Sequence, residues 1–401
     1  MKNQFIFNSL GSNYSWKDAI VAMQGFFSPR KDAFAELTNI LRQLFPKYSA
    51  TPTYKGRDAL EIALKSLGVG IGDVVLTQAF SCFAVEEAII RCGAKPLYYD
   101  VQATSLAPDQ ETLNEAINRH ISSGSKKKLI KAIVVQFTLG TTATNSWISK
   151  WSQQHQIAYI ADLAQTIGSV SESEFVGNGA DAIVLSTGRD KIWDAVSGGF
   201  VLTQQPLAKA LEPKLVVGVR QTLRDCCYPF FALLIRLTYP TQFGRIIHYV
   251  VTKIGLFYSP IESIYTQPAQ MSPTLATFVL HRWQSVLPEI QHRRTIAQEY
   301  HRYLNKVSLV TQEEIVSGAN LRFPLHVDST KNTIALLKRH HVFIADRWYR
   351  KVVDGGTTNH RSLYSIGSCP NAEVAALHCI NLPTHREMTQ ERAKQIAQLI
   401  V

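Results

Sequence analysis

The stretch IVLSTGRDKIWDAVSGGFVLT, residues 183–203, decides the fold of this chain. Its two apolar runs predict buried strands, Ala182 to Ser186 and Gly199 to Thr203, joined by a polar loop. Lys191 lies in that loop, where an amine between two buried strands is partly desolvated and can attack a carbonyl group at neutral pH. The loop makes Lys191 a candidate Schiff-base lysine, although an ordinary solvated lysine also fits this position.

The same alternation of apolar runs and helical patterns continues upstream, which is typical of βαβ units. The predicted strands are Val74 to Thr77, Pro96 to Asp100, Ala132 to Gln136 and Ala158 to Ala161. The predicted helices are Asp58 to Leu67, Ala84 to Cys92, Asp109 to Arg119 and Ser146 to His155. The fold class is therefore α/β, with a mostly parallel central sheet, helices on both faces, and a ligand at the carboxyl ends of the strands.

Polar side chains follow the strand that precedes the Lys191 stretch. AYIADLAQTIGS, residues 158–169, places Asp162 at the carboxyl end of this strand and Gln165 shortly after it. A carboxylate there can pair with a pyridinium nitrogen and keep it protonated, and the amide of Gln165 can donate to a phenolic oxygen of the same ring. An isolated aspartate at a strand end is also a common helix N-cap, so both interpretations of Asp162 stay open.

A turn that contains glycine opens the first predicted helix. In YKGRDALEIAL, residues 54–64, Gly56 is followed by Arg57 and Asp58 and then at once by the helix. The backbone N–H groups at a helix N-terminus form an anion site, and a glycine lets a phosphate approach closely. Ser186 can add a hydroxyl to that phosphate. Many helices begin in this way, so the turn alone is not specific.

The second half of the chain has a different texture. Residues 226–260 are rich in aromatic and aliphatic side chains. A helical pattern from Ser272 to Leu304, a strand pattern from Leu321 to Asp328, and helical patterns from Thr333 to His340 and Thr389 to Val401 follow. The simplest division is a large domain, 1–261, that includes the aromatic segment, and a smaller C-terminal α+β domain, 262–401.

The composition limits the classes of function. The hydrophobic fraction of 46% and the charged fraction of 18% are those of a folded globular protein, and the net charge of +11 favours anionic partners. No basic segment, including 126–128, carries a nucleic-acid recognition motif, so we expect no nucleic-acid partner. Six cysteines without a CxxC pair indicate neither a metal site nor a disulfide framework. No secretory signal and no apolar run of roughly 18 residues is present, so we expect a cytoplasmic protein.

Taken together and in this order, these segments resemble the DegT/DnrJ/EryC1/StrS family of sugar aminotransferases. The matching stretches are GRDALEIALKSLGVGIGDVVLTQAF, EEAIIRCGAKPLYYDV, IADLAQTIGS, STGRDKIWDAVSGG and NLPTHREMTQERAKQIAQLI. The resemblance implies a transferase of fold type I that depends on pyridoxal 5'-phosphate, in which Lys191 forms the internal aldimine and carries the proton. It further implies that Asp162 pairs with the pyridine nitrogen and that Gln165 contacts the ring oxygen.

The resemblance also implies a phosphate cup, a reaction and an assembly. The cup would consist of the Gly56 turn with Arg57, Asp58 and Ser186. The reaction would be a ping-pong transfer of an amino group, often from glutamate, to a keto-sugar carried on a nucleotide, as in polysaccharide biosynthesis. The assembly would be a homodimer with active sites at the subunit interface.

Three departures from the family pattern limit this transfer of roles. In TQAFSCFAVEE, Cys82 stands where the family has an aromatic residue that stacks on the cofactor ring, although Phe83 is adjacent. No asparagine lies between Tyr258 and Arg282, where the family has an Asn-containing arm that reaches into the partner's phosphate site. The aromatic segment 228–258 is longer than in the family; it predicts either peripheral contact with a membrane or lipid-linked substrate, or a dimer interface or domain-linking helices.

Other functions remain open at the level of the sequence. A dehydratase is disfavoured because such relatives replace the lysine by histidine, and a desulfurase would need a mobile nucleophilic cysteine, for which Cys369 is the candidate. A regulatory homologue without turnover is the third alternative. Four basic residues of the second half could grip a substrate carboxylate or phosphate, namely His292, Arg293, Arg294 and Arg322.

Overall fold

The computed structural model describes residues 5–124, 130–142, 147–171, 174–259, 261, 265–355 and 362–400. The predicted cluster 126–128, the first residue of the helix predicted from Ser146, and Val401 lie outside these ranges. The helices are α1 (Trp16–Phe27), α2 (Ala33–Leu44), α3 (Gly56–Ser66), α4 (Phe83–Arg91), α5 (Gln110–Ser122), α6 (Ile148–His155), α7 (Val219–Thr238), α8 (Phe243–Lys253), α9 (Pro273–Leu304), α10 (Gln312–Ser317), α11 (Thr330–Arg339), α12 (Pro370–His378) and α13 (Gln390–Ile400). The strands are β1 (Ile6–Phe7), β2 (Ser49–Thr53), β3 (Val74–Gln78), β4 (Lys95–Tyr99), β5 (Ile130–Gln136), β6 (Ala158–Asp162), β7 (Val170–Ser171), β8 (Glu174–Phe175), β9 (Ala182–Ser186), β10 (Gly199–Thr203), β11 (Leu215–Val216), β12 (Ala269–Gln270), β13 (Arg322–His326), β14 (Val342–Phe343) and β15 (Cys379–Pro383).

The centre of the fold is a sheet of seven strands in the order β2-β10-β9-β6-β5-β3-β4. Strands β9, β6, β5, β3 and β4 run parallel to one another, whereas β10 is antiparallel to both β9 and β2. This arrangement confirms the predicted α/β class with its mostly parallel sheet. The apolar runs form buried strands because helices cover them on both faces.

The six strands predicted upstream of residue 204 are all present, with ends that agree within two residues. Strand β2 was not predicted. Its sequence, SATPT, has no apolar run, and of its five residues only Thr53 is buried. Pairing with β10 in register defines this edge strand, and such long-range pairing leaves no period in the local sequence.

Two hydrophobic clusters meet along the 32-residue helix α9. Its first half, with Leu275, Phe278 and Ile290, packs into the core around the large sheet. Its second half, with Ile296 and Tyr300, packs on the pair β13 and β15 and on α13. The predicted boundary between residues 261 and 262 falls next to residues outside the described ranges, and the division into two domains stays a prediction.

The aromatic segment folds as two helices, α7 and α8, that are separated by a short 3-10 turn. Helix α7 packs between α1 and α8, and its residues Tyr228, Ala232 and Ile235 belong to the central core. Among the described residues, no helix is both long and apolar enough to cross a bilayer.

Candidate functional site

The loop from Thr187 to Gly198 holds Lys191 at the carboxyl end of the sheet. Thr187 N donates to the Gly198 carbonyl at 3.0 Å, and Ala195 N donates to the Thr187 carbonyl at 2.8 Å, so the two ends of the loop are closed on each other. Gly198 has a φ of +107°, and a Cβ at this position would lie 2.2 Å from Thr187 Oγ1. Only glycine fits there, because both the backbone conformation and the space exclude a side chain.

The carboxylate of Asp194 organises the interior of this loop. It accepts hydrogen bonds from the backbone amides of Asp190, at 2.9 Å, and Val196, at 3.1 Å. It also accepts from Asn13 Nδ2, at 3.0 Å, and from the Tyr14 hydroxyl. Because Asp194 is 1% exposed, these four donors hold the loop in one conformation without competition from water.

The amine of Lys191 lies under an aromatic ring. Its Nζ is 4.6 Å from the centroid of the Trp348 ring, and Arg322 contacts the same ring at 4.4 Å. Burial lowers the pKa of Lys191, and the positive charge of Arg322 lowers it further. The negative charges of Asp162 and Asp190 act in the opposite direction. A lysine with a lowered pKa has a larger unprotonated, nucleophilic fraction at neutral pH.

Asp162 and Gln165 are both buried at the end of β6, close to Lys191. Asp162 accepts from Gln136 Nε2 at 3.2 Å and from Ala164 N at 3.0 Å. Burial raises the pKa of Asp162, and the charge of Lys191 lowers it. The Asp162 carboxylate thus closes the turn that follows β6 and lies in the electrostatic field of the lysine. No helix begins within the described residues 163–171, so the helix N-cap interpretation is wrong, while pairing with a ring nitrogen stays a prediction.

Gln165 connects the large sheet to the segment that follows β14. Its Oε1 accepts from Leu139 N at 2.7 Å, and its Nε2 donates to the Tyr349 hydroxyl at 2.7 Å. Tyr349 is 4% exposed, and its ring packs edge-to-face on Phe80. The amide of Gln165 is therefore fixed in orientation by donors and acceptors on both sides.

The predicted phosphate turn lies where α3 begins. Gly56 is in contact with Ser186, because a Cβ on Gly56 would lie 2.9 Å from Ser186 Cβ. The side chain of Arg57 turns away to Glu87 and to the Ile261 carbonyl, at 2.7 Å. The side chain of Asp58 accepts from Ala269 N at 3.4 Å. The backbone N–H of Asp58 donates to the Lys55 carbonyl at 3.1 Å, and the side chains of both residues brace the start of α3.

Cys82 and Phe83 form the start of α4. The thiol of Cys82 accepts from Ala84 N at 3.5 Å, and Phe83 N donates to the Asp354 carbonyl at 3.1 Å. Burial raises the pKa of Cys82, and the charge of Lys191 opposes this shift, which places the thiol near the lysine. Position 82, which follows the carboxyl end of β3, thus presents a thiol instead of an aromatic ring.

A buried polar cluster lies beside the α3 turn, on the side where the chain lacks the expected asparagine. Asp225 accepts from the hydroxyls of Tyr54, at 2.7 Å, and Tyr258, at 2.6 Å. Arg189 Nη1 donates to the Tyr258 carbonyl at 2.7 Å, and Lys55 Nζ lies 3.4 Å from the Tyr258 hydroxyl. The cluster ties the segment at Tyr258 to the loop of Lys191 and to the start of α3.

The four basic residues proposed from the second half of the chain separate into two pairs. His292 Nε2 lies 3.1 Å from the His385 carbonyl, and Arg294 donates to the carbonyls of Ser317 and Gly318, so both serve local packing. Arg293 Nη2 donates to Asn13 Oδ1 at 2.7 Å, and Arg322 lies against the Trp348 ring, so these two are close to the Lys191 loop.

Sequence reasoning did not single out Asp194, although it lies within the Lys191 stretch, and it missed four residues from distant parts of the chain: Asn13, Tyr14, Trp348 and Tyr349. Asn13 Nδ2 also donates to the Lys191 carbonyl at 3.2 Å. These four residues come from the two ends of the chain and carry no motif. The one available signal was the aromatic pair in DRWYR, which lies in a polar stretch between predicted elements.

The mixed α/β architecture with a mostly parallel sheet of seven strands defines the class: this is the fold of type I proteins that depend on pyridoxal phosphate. The chain belongs to the DegT/DnrJ/EryC1/StrS aminotransferase family, whose sequence profile matches residues 23–224 and 258–401.

Solved structures with the same fold cover nearly the whole chain. NtdA from Bacillus subtilis with bound cofactor PMP superposes with a TM-score of 0.71 at 16% identity, over 100% of this chain and 86% of that chain. A DegT/DnrJ/EryC1/StrS aminotransferase from Brucella abortus gives a TM-score of 0.70 at 18% identity, over 96% and 95% of the two chains.

Curated relatives match over a shorter part. A pleiotropic regulatory protein from Geobacillus stearothermophilus is 32% identical over 37% of this chain and 38% of its own length. GDP-perosamine synthase from Vibrio cholerae is 26% identical over 39% of this chain and 41% of its own length. The chain thus spans about two fifths of the length of these relatives.

Proposed function

We propose that this chain is an aminotransferase that uses pyridoxal 5'-phosphate to move an amino group, from glutamate, to a keto-sugar carried on a nucleotide. The observation that carries the proposal is the half-buried Lys191, whose Nζ lies 4.6 Å from the Trp348 ring centroid and whose pKa is lowered, near the buried Asp162 carboxylate at the carboxyl ends of β6 and β9. Family membership supports the reaction class, and relatives named as nucleotide-sugar enzymes, such as GDP-perosamine synthase, support the substrate class.

The side chains present fit this cofactor. Lys191 supplies an amine, and Asp162 supplies a carboxylate. For a phosphate, Ser186 supplies a hydroxyl, and the start of α3 supplies backbone N–H groups. Two groups that border the site have unused hydrogen-bonding atoms among the described residues: Gln136 Oε1, and Nε and Nη2 of Arg189. Buried polar atoms without partners are rare, and they indicate a place that a polar ligand completes.

Each residue has a definite task in this arrangement. When bound, the cofactor supplies an electron sink through which an amino group can pass from one carbon atom to another. Lys191 would hold the cofactor and carry the proton on Nζ, which its lowered pKa permits near neutral pH. Asp162 would pair with the ring nitrogen, and Gln165, fixed by Leu139 N and Tyr349, would donate to the ring oxygen.

The remaining predicted residues would complete the binding site. Gly56, Arg57 and Asp58 would contribute the α3 N-terminus, with Ser186 as the hydroxyl donor. Cys82 and Phe83 would border one side of the ring. A small thiol gives less stacking contact than an aromatic ring, so we expect weaker cofactor binding than in a site with an aromatic residue there.

The assembly and the location are part of the same proposal. We infer a cytoplasmic homodimer, because aminotransferases of this family place their sites at a subunit interface. The segment around Tyr258, held by Arg189 and Asp225, would close the phosphate side from within the same chain, which is consistent with the absence of the Asn-containing arm.

Two alternatives differ in their support. A desulfurase would need Cys369 as a mobile nucleophile, but this thiol is fully buried and burial raises its pKa to about 11. A regulatory homologue without turnover has one supporting observation, the similarity to the pleiotropic regulatory protein from Geobacillus stearothermophilus. It predicts cofactor binding without conversion.

The test is a spectral titration of the purified full-length protein. Addition of pyridoxal phosphate should produce a visible absorption band, and addition of glutamate should convert the bound cofactor to its pyridoxamine form. Lys191→Ala should abolish the band, whereas Lys47→Ala, at an exposed lysine, should leave it unchanged. A band that persists in Lys191→Ala would disprove the assignment of the lysine, and a band that does not respond to any amino donor would favour the regulatory alternative.

A further inference from the structure

Helices α1, α7 and α8 present a continuous apolar surface to solvent, here called the outer face. Its side chains are at least 38% exposed and comprise Trp16, Ile20, Phe27, Leu223, Phe230, Leu237, Phe243, Ile246, Tyr249, Val250 and Ile254. Trp16 and Phe230 are in edge-to-face contact at 5.8 Å, and α8 packs on α7, so the three helices form one layer. Monomeric proteins rarely expose so many large apolar side chains together without a binding role.

The outer face follows the period of a surface helix. On α8, Phe243, Ile246, Val250 and Ile254 recur at intervals of three or four residues, with exposed fractions from 46% to 64%. The adjacent side of the helix, about 100° round from this row, carries Gly244 and Val251, which are buried against the protein. Helix α8 is therefore amphipathic with its apolar side turned outward, which is the reverse of an ordinary surface helix.

The exposed charges of α7 and α8 are positive. From residue 213 to 259 the sequence contains one carboxylate, Asp225, and this carboxylate is buried between Tyr54 and Tyr258. Exposed cations lie beside the apolar side chains on the same helices, among them Arg220, Arg245 and Lys253. The face thus combines apolar side chains with positive charges and presents no exposed carboxylate.

The family profile does not account for this surface. It matches residues 23–224 and resumes at 258, so the stretch from Asp225 to Phe257, which forms most of α7 and all of α8, lies outside the match. The common fold of the family therefore does not require the outer face, and its partner need not belong to the aminotransferase reaction.

We propose that the outer face docks on an anionic lipid bilayer, with α8 lying in the plane of the membrane surface. An amphipathic helix with cations beside its apolar side binds at the boundary between headgroups and acyl chains. A second copy of this chain fits less well. In a twofold contact between outer faces, the exposed cations Arg245 and Lys253 of each copy would be brought against a surface whose helices offer no exposed carboxylate to pair with them. The described helices cannot cross the bilayer, so the contact is peripheral.

The test is sedimentation of the full-length protein with lipid vesicles. At low salt, the protein should sediment with vesicles of phosphatidylcholine and phosphatidylglycerol, and much less with phosphatidylcholine alone. Arg245→Glu with Lys253→Glu should reduce the partition coefficient about 25-fold, at roughly fivefold for each lost cation. Phe243→Gln with Ile246→Gln should reduce it at least about tenfold through the loss of apolar burial.

Matched controls separate the face from general surface effects. Lys338→Glu with Arg339→Glu makes the same change of charge on the exposed side of α11, and Ile71→Gln removes an apolar side chain that is 95% exposed elsewhere. Both should bind vesicles like the unchanged protein. The proposal is overturned if the unchanged protein stays in the supernatant with anionic vesicles at low salt. It is also overturned if the α8 variants sediment as well as the controls, or if they only convert dimers to monomers in sedimentation velocity. Vesicle binding is measured without reference to the cofactor absorption band, so this test can fail or succeed independently of the proposed aminotransferase reaction.

Discussion

Substitution of Asp194 by alanine tests whether its carboxylate keeps Lys191 in position. In the structure it accepts from the backbone amides of Asp190 and Val196 and from the side chains of Asn13 and Tyr14. Alanine leaves two buried backbone amides without an acceptor, at about 1–3 kcal/mol each. Part of this loss is offset, because burial raises the pKa of Asp194 and the substitution removes that unfavourable burial of a charge. We expect a net loss of about 3 kcal/mol in the free energy of unfolding.

A double-mutant cycle with Tyr14→Phe measures the coupling energy between the Asp194 carboxylate and the Tyr14 hydroxyl. Tyr14→Phe alone removes one of the four donors and should cost about 1 kcal/mol. In the Asp194→Ala background the hydroxyl has already lost this acceptor, so the second substitution should be neutral or slightly stabilising, with a coupling energy of about 1–2 kcal/mol.

Urea unfolding measures the total effect in this cycle, and hydrogen exchange of the peptide that contains residues 187–198 measures the loop directly. Because the described residues form several hydrophobic clusters, the exchange data are the better local measure if unfolding is not two-state. The affinity for pyridoxal phosphate should fall in parallel with loop protection. Additive single effects, or an Asp194→Ala protein with unchanged loop protection, would refute the anchoring role.

Three further predictions address single groups. Gly198→Ala should cost at least about 3 kcal/mol, because its Cβ would lie 2.2 Å from Thr187 Oγ1, whereas Gly218→Ala, with no atom within 4 Å, should leave the urea midpoint almost unchanged. Burial and the charge of Asp194 raise the pKa of Asp190 to about 7. The free energy of unfolding should therefore fall as the pH rises from about 4 through 7, because the folded protein must then ionise this carboxyl group. Asp190→Asn should flatten this part of the pH profile, measured by urea unfolding at each pH. Trp348→Ala should raise the pKa of Lys191 by opening the amine to water, which reductive methylation followed by NMR at several pH values would detect; an unchanged titration would show that other groups bury the amine.

The sheet and the order of the site residues could be predicted because both are recorded locally in the sequence. Each parallel strand is a buried apolar run, and the residues that end such runs, Asp162 and Ser186, meet at one edge of the sheet. Lys191 could not be distinguished from a solvated lysine by its loop alone. The structure shows the difference in the Trp348 ring that covers its amine.

The contacts that the sequence could not predict join distant parts of the chain. Asn13 reaches Lys191 across 178 positions, and Gln165 reaches Tyr349 across 184. No local period carries such contacts, because they depend on how the N-terminal segment and the segment after β14 pack against the finished sheet. The same limit applies to the side chain of Arg57, whose partner Glu87 lies on the neighbouring helix α4.

Helix α7 connects the two surfaces that this chain would use. Its inner side carries Asp225 and Tyr228, and Arg189, two residues before Lys191, stacks on the Tyr228 ring at 3.9 Å. Its outer side carries the exposed Phe230 and Leu237 of the outer face. Because both sides belong to one helix, we expect a partner that holds the outer side to restrain the inner side as well, which is packed on the loop of the lysine. The added helices are therefore part of the support of the proposed active site as well as a binding surface, and cofactor affinity measured with and without anionic vesicles would report on both at once.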